Sequence, residues 1–206
     1  MSRMEKFVVT ISREYGSGGH AIGKRLAGLL DVPFYDREVV GLTAQKYAVD
    51  AERLHEMEEQ SKMPQPFGRG GGLGAFADSD DRLFILQSQT VIELAEQPCV
   101  IVGRCADFVL RDHPGRVSFF LYSGMKQRLV RVASQPAFYQ PGDPAQIVAK
   151  MDRRRAAYYK YHTGQEWGRP SNYHLCVDAG LLGPKAAELL TEYIRLRTGL
   201  KGGAGA

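Results

Sequence analysis

The sequence predicts a three-layer α/β sandwich with a central five-stranded parallel sheet. Short apolar runs recur along the chain, and several lack the alternation of a half-exposed strand, which favours a sheet covered on both faces. Helical patterns separate these runs, as is typical of parallel α/β folds. The predicted strands are FVVTI (7–11), PFY (33–35), CVIV (99–102), RVSFFLY (116–122) and YHLCVD (173–178).

Each predicted helix is recognised by an apolar face or by a start signal. The segment 19–30 places Ile22, Leu26, Leu29 and Leu30 on one face. The segment 50–62 opens with Asp50, a favourable capping residue. Further helices are predicted over 80–97 and near 124–134, 143–160 and 184–197.

The 206 residues suffice for one α/β domain, which we assign to residues 1–200. We expect a core over 6–36 and 98–195 and a helical insertion over 37–97. A lid is expected over 143–172, mobile without ligand and closing over it. The glycine-rich and proline-rich segment 62–79 is predicted to be a mobile loop, and the tail 201–206 to be disordered.

The overall composition excludes few partners. The 27 basic and 23 acidic residues give a net charge of +4, too small to predict nucleic-acid binding. No apolar run approaches the roughly 18 residues of a membrane span, and the first strand begins too early for a signal peptide. We therefore expect a cytoplasmic protein with no membrane partner; the composition does not predict the oligomeric state. Free, buried thiols are expected at Cys99, Cys105 and Cys176.

The stretch ISREYGSGGHAIGKRLA (11–27) joins a strand to a helix through a cluster of glycines. Amide groups in such a turn can point at an anion, and the following helix adds the positive end of its dipole. We predict that phosphate binds there rather than that the glycines form a simple connecting turn. The predicted binding residues are Gly16, Ser17, Gly18, Gly19 and His20.

Two alignments with the phosphate-loop pattern GxxxxGK[ST] compete. The literal match runs from Gly18 to Gly23-Lys24, but it starts the helix only at Lys24. The favoured register begins at Arg13 and places Gly19 at the lysine position, followed by His20. Positive charge must then come from Arg13 or from Lys24. Ser17 and Ser12 are the hydroxyls that could reach magnesium or phosphate.

Four blocks of the sequence are similar to a known family. ISREYGSGGHAIGKRLA, VPFYDREVV, VIVGRCADFVL and DRRRAAYYKYHTGQEWGRPSNYHLCVD resemble, in order and spacing, the cytidylate kinase-like family, a branch of the P-loop nucleoside monophosphate kinases. The resemblance spans roughly residues 6 to 195. It implies a kinase fold with a helical lid and an insertion that binds the nucleoside monophosphate (NMP), and ATP and Mg²⁺ as cofactors. The implied acceptor is a small-molecule nucleotide, cytidylate by analogy.

The resemblance also implies roles for individual residues. Arginines surround the transferred phosphoryl group in these kinases, because fixed cations stabilise its charge. Asp36 and Arg104 match acceptor-binding positions, although Asp36 could also cap a helix, and Cys105 stands where cytidylate kinases carry aspartate. The arginines expected to act in catalysis are Arg13, Arg104, Arg128, Arg131 and Arg155. Arg153 and Arg154 are left out because consecutive arginines of a helix cannot all face one site, and Arg155 fits the family pattern best.

Three functions remain open from the sequence. The first is an ATP- and Mg²⁺-dependent kinase acting on a nucleoside monophosphate, which the arginine set favours. The second is a nucleotide-binding regulatory module without turnover, which the loss of the loop lysine favours. The third is a kinase for another small acceptor. Lid-to-core packing, rather than stacking on a base, is expected of Trp167, Tyr158, Tyr159 and Tyr161.

Overall fold

The computed structural model describes residues 7–48, 79–135 and 142–199 of the chain. Its strands form one parallel sheet, so the predicted fold class is confirmed. In chain order they are β1 (Val8–Arg13), β2 (Phe34–Tyr35), β3 (Cys99–Val102), β4 (Arg116–Tyr122) and β5 (Leu175–Asp178). The spatial order is β2-β3-β1-β4-β5, which places β1 at the centre.

Helices cover both faces of this sheet. One apolar layer joins the sheet to the first and last helices, and the other joins it to helices that follow β2 and flank β3. The α-helices are α1 (Gly19–Leu30), α2 (Glu38–Tyr47), α3 (Ser79–Leu94), α4 (Ala106–Val109), α5 (Met125–Ser134), α6 (Pro144–Thr163), α7 (Ala179–Leu182) and α8 (Ala186–Thr198), with 3₁₀ turns at Pro170–Asn172 and Gly183–Lys185.

The helix predictions hold for the long amphipathic segments, whereas α2 was expected only as part of the helical insertion over 37–97, without bounds of its own. Sequence patterns near 124–134, 143–160 and 184–197 correspond to α5, α6 and α8. The α2 segment contains β-branched Val39, Val40 and Thr43, which disfavour a helix locally. Packing on α3 overrides that preference, as shown by the 2.9 Å contact between the hydroxyls of Thr43 and Thr90. The predicted helix over 50–62, the loop over 62–79 and the tail over 201–206 lie outside the described residues, apart from Ser79.

The three cysteines are free thiols, as predicted. Cys99 and Cys105 are buried, whereas Cys176 is half-buried. Burial raises the pKa of the Cys99 thiol to about 12 and also raises that of Cys105, so both stay protonated and unreactive at neutral pH. Among the described helices, none is long and apolar enough to cross a membrane.

The parallel arrangement brings the carboxyl ends of all five strands to one edge. Arg13 ends β1, Asp36 follows β2 and Gly103 follows β3. Ser123 follows β4, and Asp178 ends β5. Ligands of open α/β sheets bind outside this edge.

Candidate active site at the carboxyl edge of the sheet

The glycine loop between β1 and α1 leaves the start of α1 open to an anion. Gly16 and Gly18 have φ angles of 77° and 90°, a left-handed region that glycine adopts without strain. Gly18 is the N-cap of α1, and neither a capping side-chain bond nor an acidic residue in the first turn occupies this end of the helix. The first N–H groups of a helix lack partners within it, so this loop fits a phosphate group.

The start of α1 decides between the two registers. The helix begins at Gly19, as the register from Arg13 requires, and Gly23 lies inside it rather than in a loop. An added Cβ at Gly23 would lie 3.0 Å from side-chain atoms of both Phe34 and Val102. Gly23 is therefore a packing position between α1 and the sheet, and the literal match through Gly23-Lys24 is wrong. Lys24 is exposed in the second turn of α1.

The side chain of Arg13 runs across the first residue of α1. A Cβ built at Gly19 would lie 2.9 Å from the Cβ and 2.7 Å from the Cγ of Arg13. A Cβ built at Gly103, after β3, would collide with the Nη1 atom of Arg13. Both glycines thus provide the space through which Arg13 reaches the edge of β2, where its Nη2 lies 3.2 Å from Asp36 Oδ1.

Asp36 is a buried carboxylate held by two basic side chains. Its Oδ1 accepts from Arg13, and its Oδ2 lies 2.7 Å from Nδ1 of His20. Burial alone would raise the pKa of Asp36, but Arg13, His20 and Arg104 together lower it, so the carboxylate is ionised at neutral pH. The alternative role of Asp36 as a helix cap is wrong, because Arg37 is the N-cap of α2 and both carboxylate oxygens are engaged elsewhere.

Arg104 lies beside this pair on a strained segment. Gly103, Arg104 and Cys105 have φ angles of 81°, 58° and 50°, so two non-glycine residues adopt the left-handed region after β3. Strain of this kind persists where the surrounding structure holds a residue in place. Burial lowers the pKa of Arg104 to about 10, and the charge of Arg13 lowers it as well. Arg104 therefore remains charged at neutral pH.

Arg155 brings a third guanidinium group to the same place from α6. Its Nη1 donates to the carbonyl oxygen of Arg13 at 2.8 Å, and its Cζ lies 5.2 Å from the centroid of the Tyr15 ring. Burial lowers the pKa of Arg155 to about 9, followed by repulsion from Arg13. Arg13, Arg104 and Arg155 form the cluster that we call the basic cluster.

The three guanidinium groups of the basic cluster lie close to one carboxylate. Asp36 acts on all three of them. Asp152, another carboxylate that acts on Arg155, is also paired with Arg128. Three cations held this close together fit a polyanionic ligand such as a polyphosphate.

Arg128 has a different role, because it is buried under the glycine loop and holds the loop in place through hydrogen bonds and ion pairs. Its side chain is 5% exposed and forms ion pairs with Asp152 and, at 3.3 Å, with Glu14. Its Nε donates to the carbonyl oxygen of Tyr15 at 2.8 Å. Asp152 in turn accepts from the backbone N–H of Tyr15 at 2.8 Å, and Glu14 accepts from that of Ser123 at 3.0 Å. This interlocked set, not a phosphate, satisfies Arg128.

Arg131 also contacts the loop itself. Its Nη1 donates to the carbonyl oxygen of Gly16 at 2.6 Å, and its guanidinium group packs against Gly18. An open groove of about 520 Å³ lies beside it on α5. The lining residues of this groove are Lys126, Gln127, Val130, Arg131, Ser134 and Gln135.

Ser17 does not present its hydroxyl as a metal ligand. The residue is fully buried, and its Oγ donates to the carbonyl oxygen of Glu14 at 2.9 Å. The described residues contain no group of three or more His, Cys, Asp or Glu side chains that could hold a metal ion.

A buried network that the sequence did not predict links α6 to the sheet. The hydroxyl of Tyr159 donates to Asp107 Oδ2 at 2.6 Å, and Ser12 donates to Oδ1 at 3.3 Å. Arg116 donates to the main-chain oxygen of Asp107 at 2.7 Å. Burial raises the pKa of Asp107. The signal in the sequence was a lone aspartate inside the apolar block CADFVL, which only the fold connects to Tyr159.

One face of α6 therefore docks on the loop and the sheet edge. Asp152, Arg155 and Tyr159, about one helical turn apart in succession, contact Tyr15, Arg13 and Asp107. Arg153 is exposed, as expected for neighbouring arginines of one helix. Trp167 packs edge-on against Phe120 at 5.3 Å, and Tyr158 packs against Phe84, whereas Tyr161 is exposed.

Comparisons with known proteins identify the family. The chain belongs to the cytidylate kinase-like family, whose model matches residues 8–180. A crystal structure of an uncharacterized protein from Eubacterium ventriosum ATCC 27560 is similar, with 24% identity, 91% of this chain and 98% of that chain covered, and a TM-score of 0.66. No protein of curated function matches this sequence.

Shikimate kinases share the fold. The enzyme from Bacteroides thetaiotaomicron has 15% identity, with 94% of this chain and 99% of that chain covered and a TM-score of 0.54. The enzyme from Acinetobacter baumannii, solved with shikimate, has 15% identity, coverage of 95% and 96%, and a TM-score of 0.52. The family is kinase-like, and the fold agrees with it, which points to phosphoryl transfer to a small substrate as the function to be tested.

Proposed function

We propose that this protein transfers the γ-phosphoryl group of ATP, with Mg²⁺, to a nucleoside monophosphate, and that cytidylate is its first candidate acceptor. The observation that supports this most is the basic cluster of Arg13, Arg104 and Arg155 beside the open N-terminus of α1. Phosphoryl transfer spreads negative charge over the phosphoryl oxygens and requires mainly positioning and fixed positive charge. Membership of the cytidylate kinase-like family supports the choice of acceptor.

The donor phosphates are proposed to bind against the backbone amides of Gly16, Ser17, Gly18, Gly19 and His20. The start of α1 supports this placement, because its N-cap, Gly18, makes no side-chain bond to those amides. Lys24 lies one turn further along α1 and is assigned a secondary, electrostatic contribution. Magnesium would neutralise part of the phosphate charge when it binds together with ATP.

The acceptor is proposed to bind on the side of β2 and β3, near Asp36 and Arg104. A phosphate-bearing acceptor fits this side because Arg104 is a buried cation at the carboxyl end of β3, close to the positive charge of Arg13. Cys105 offers no carboxylate there, so the nucleobase would be recognised differently than in cytidylate kinases. The arginines of the basic cluster would contact the transferred group between donor and acceptor.

Turnover with a panel of acceptors tests this function. Mg²⁺-dependent release of ADP from ATP would be measured with CMP, dCMP, UMP, AMP and GMP, and with shikimate as a hydroxyl acceptor. We expect the largest kcat/KM with CMP or dCMP. Turnover with shikimate alone would indicate a kinase for another small acceptor. Binding of ATP without turnover on any acceptor would overturn the proposal in favour of a regulatory nucleotide-binding module.

A further inference from the structure

We infer that the cation and the glycine of the usual phosphate loop have exchanged places in this protein, with the cation at Arg13 and the glycine at Gly19. Arg13 then supplies the positive charge that a lysine at position 19 would supply. This inference rests on the proposed binding of ATP phosphates at the loop. The pattern GxxxxGK places glycine first and lysine seventh. In the register that the start of α1 supports, these two positions are residues 13 and 19, and here their residue types are arginine and glycine.

The two positions compete for one space. An added Cβ at residue 19 would lie 2.9 Å from the Cβ and 2.7 Å from the Cγ of Arg13, closer than non-bonded carbon atoms approach in folded proteins. The Cβ of a lysine at position 19 would therefore clash with the Cβ and Cγ of Arg13. Conversely, a glycine at 13 would vacate that space. The structure accommodates a long side chain at either position but not at both.

Arg13 is also held where a loop cation is needed. It emerges from the carboxyl end of the central strand, crosses the N-terminus of α1 and reaches Asp36 at 3.2 Å. Asp36 is fixed from its other oxygen by His20 at 2.7 Å, and the main-chain oxygen of Arg13 accepts from Arg155 at 2.8 Å. Asp36 and His20 are thus positioning residues for the guanidinium group. Its planar set of donors can bind two phosphate oxygens in a fixed bidentate geometry, whereas an ammonium group acts as a point charge.

Gly103 is a second glycine that leaves space for the Arg13 side chain. A Cβ at this position would collide with Arg13 Nη1, and the φ of 81° favours glycine independently. With a lysine at position 19 and no arginine at position 13, this steric reason for a glycine at position 103 would disappear. The glycines at 19 and 103 therefore belong with Arg13 as one arrangement.

Three variants test the exchange: Arg13→Gly, Gly19→Lys and the double variant Arg13→Gly/Gly19→Lys. The dissociation constant of Mg²⁺-ATP would be measured by titration calorimetry, and folding by circular dichroism and thermal unfolding. We expect Arg13→Gly to weaken ATP binding at least tenfold because the cation is lost, and Gly19→Lys to weaken it because the side chains clash. The double variant should bind ATP at least tenfold more tightly than either single variant. A folded double variant that binds no better than the weaker single variant would overturn the exchange.

If the lysine variants do not fold, thermal unfolding of variants with a smaller side chain at position 19 still tests the exchange. Gly19→Ala adds only the Cβ that meets Arg13, and an Arg13→Gly background removes both the Cβ and the Cγ that it would meet. We expect Gly19→Ala to lower the melting temperature of the wild-type protein, and most of that loss to be recovered when the same change is made in the Arg13→Gly variant. No recovery would show that Arg13 does not occupy the space of residue 19, and the inference would fail.

These readouts separate the exchange from the proposed function. If the double variants recover ATP binding and thermal stability while no acceptor is phosphorylated by the wild-type protein, the exchange stands and the proposed kinase activity fails. If the wild-type protein turns over CMP while the double variants show no recovery, the kinase proposal stands and the exchange is overturned.

Discussion

Two sides of the same glycine loop use arginine in opposite ways. On the side of β4, Arg128 is enclosed by Glu14 and Asp152 and by the backbone of Tyr15. On the side of β2 and β3, the three guanidinium groups of the basic cluster face Asp36, which is also paired with His20. The first arrangement surrounds one cation with carboxylates and gives the loop its shape. The second brings three cations together near Asp36, which is the arrangement that the proposed binding of an anionic ligand requires.

The largest expected effect is on stability, from Arg128→Ala. The change would leave Glu14 and Asp152 close together without their shared cation and would remove the bond to Tyr15. Loss of one member of a buried ion pair costs about 3–5 kcal/mol. The free energy of unfolding from urea denaturation measures the effect, and the exposed neighbour Arg153→Ala should change it by less than about 0.5 kcal/mol. Equal stabilities of the two variants would mean that Arg128 does not brace the loop.

The second effect is on turnover, from Arg155→Ala. Removing one fixed cation from the transferred phosphoryl group should lower kcat on the order of a hundredfold, which corresponds to about 2.7 kcal/mol. Stability should change by no more than about 1 kcal/mol, because loss of the bond to Arg13 is offset by relief of its repulsion with Arg13. Steady-state kinetics and urea denaturation of the same preparation give both values. A large loss of stability with unchanged kcat would place Arg155 with Arg128 instead.

A smaller effect is expected from Tyr159→Phe, which removes a donor from buried Asp107. A buried carboxylate that loses a hydrogen bond costs about 1–3 kcal/mol. The matched control is the exposed Tyr161→Phe, whose bond to Asp81 is 3.4 Å long. Thermal unfolding compares the two, and a loss no larger than that of the control would mean that Tyr159 does not anchor α6.

The smallest effect concerns the pH dependence of stability at His174, which lies away from both sides of the loop. Burial lowers its pKa to about 4, helped by the charges of Arg197 and Arg116, and its Nδ1 accepts from the backbone N–H of Ser118 at 2.9 Å. The unfolded chain therefore binds more protons here between about pH 6.5 and 4, and stability falls as pH decreases through that window. His174→Asn should reduce this slope in unfolding experiments at pH 7.5 and 5. An unchanged slope would exclude His174 as its source.

The sequence was sufficient to predict the fold, and it directed attention to the glycine loop as the candidate site. Apolar strands separated by amphipathic helices predicted the parallel sheet, and glycines after the first strand predicted an anion-binding loop whose register the start of α1 supports. These are local signals, since the periodicity of a strand or helix depends on the spacing of apolar residues within a short segment. Local preference failed for α2, where packing on α3 outweighs the β-branched residues.

Partnerships between distant residues could not be predicted. Arg13 pairs with Asp36, 23 residues away, and Tyr159 pairs with Asp107, 52 residues away. Arg128 and Arg155 look equivalent in sequence, but only the fold places Glu14 and Asp152 around Arg128. The lysine missing from position 19 is likewise explained only by the path of the Arg13 side chain.

Turnover of Arg104→Ala compared with Lys24→Ala tests the central claim, that arginines beside Asp36 replace the loop lysine in a working phosphotransferase. Both variants remove one positive charge near α1, so bulk electrostatics affects them alike, and CMP-dependent ADP release would be measured for each under saturating Mg²⁺-ATP. The account predicts that Arg104→Ala lowers kcat on the order of a hundredfold or more and that Lys24→Ala has a much smaller effect. Abolished turnover in Lys24→Ala with nearly normal turnover in Arg104→Ala would contradict it.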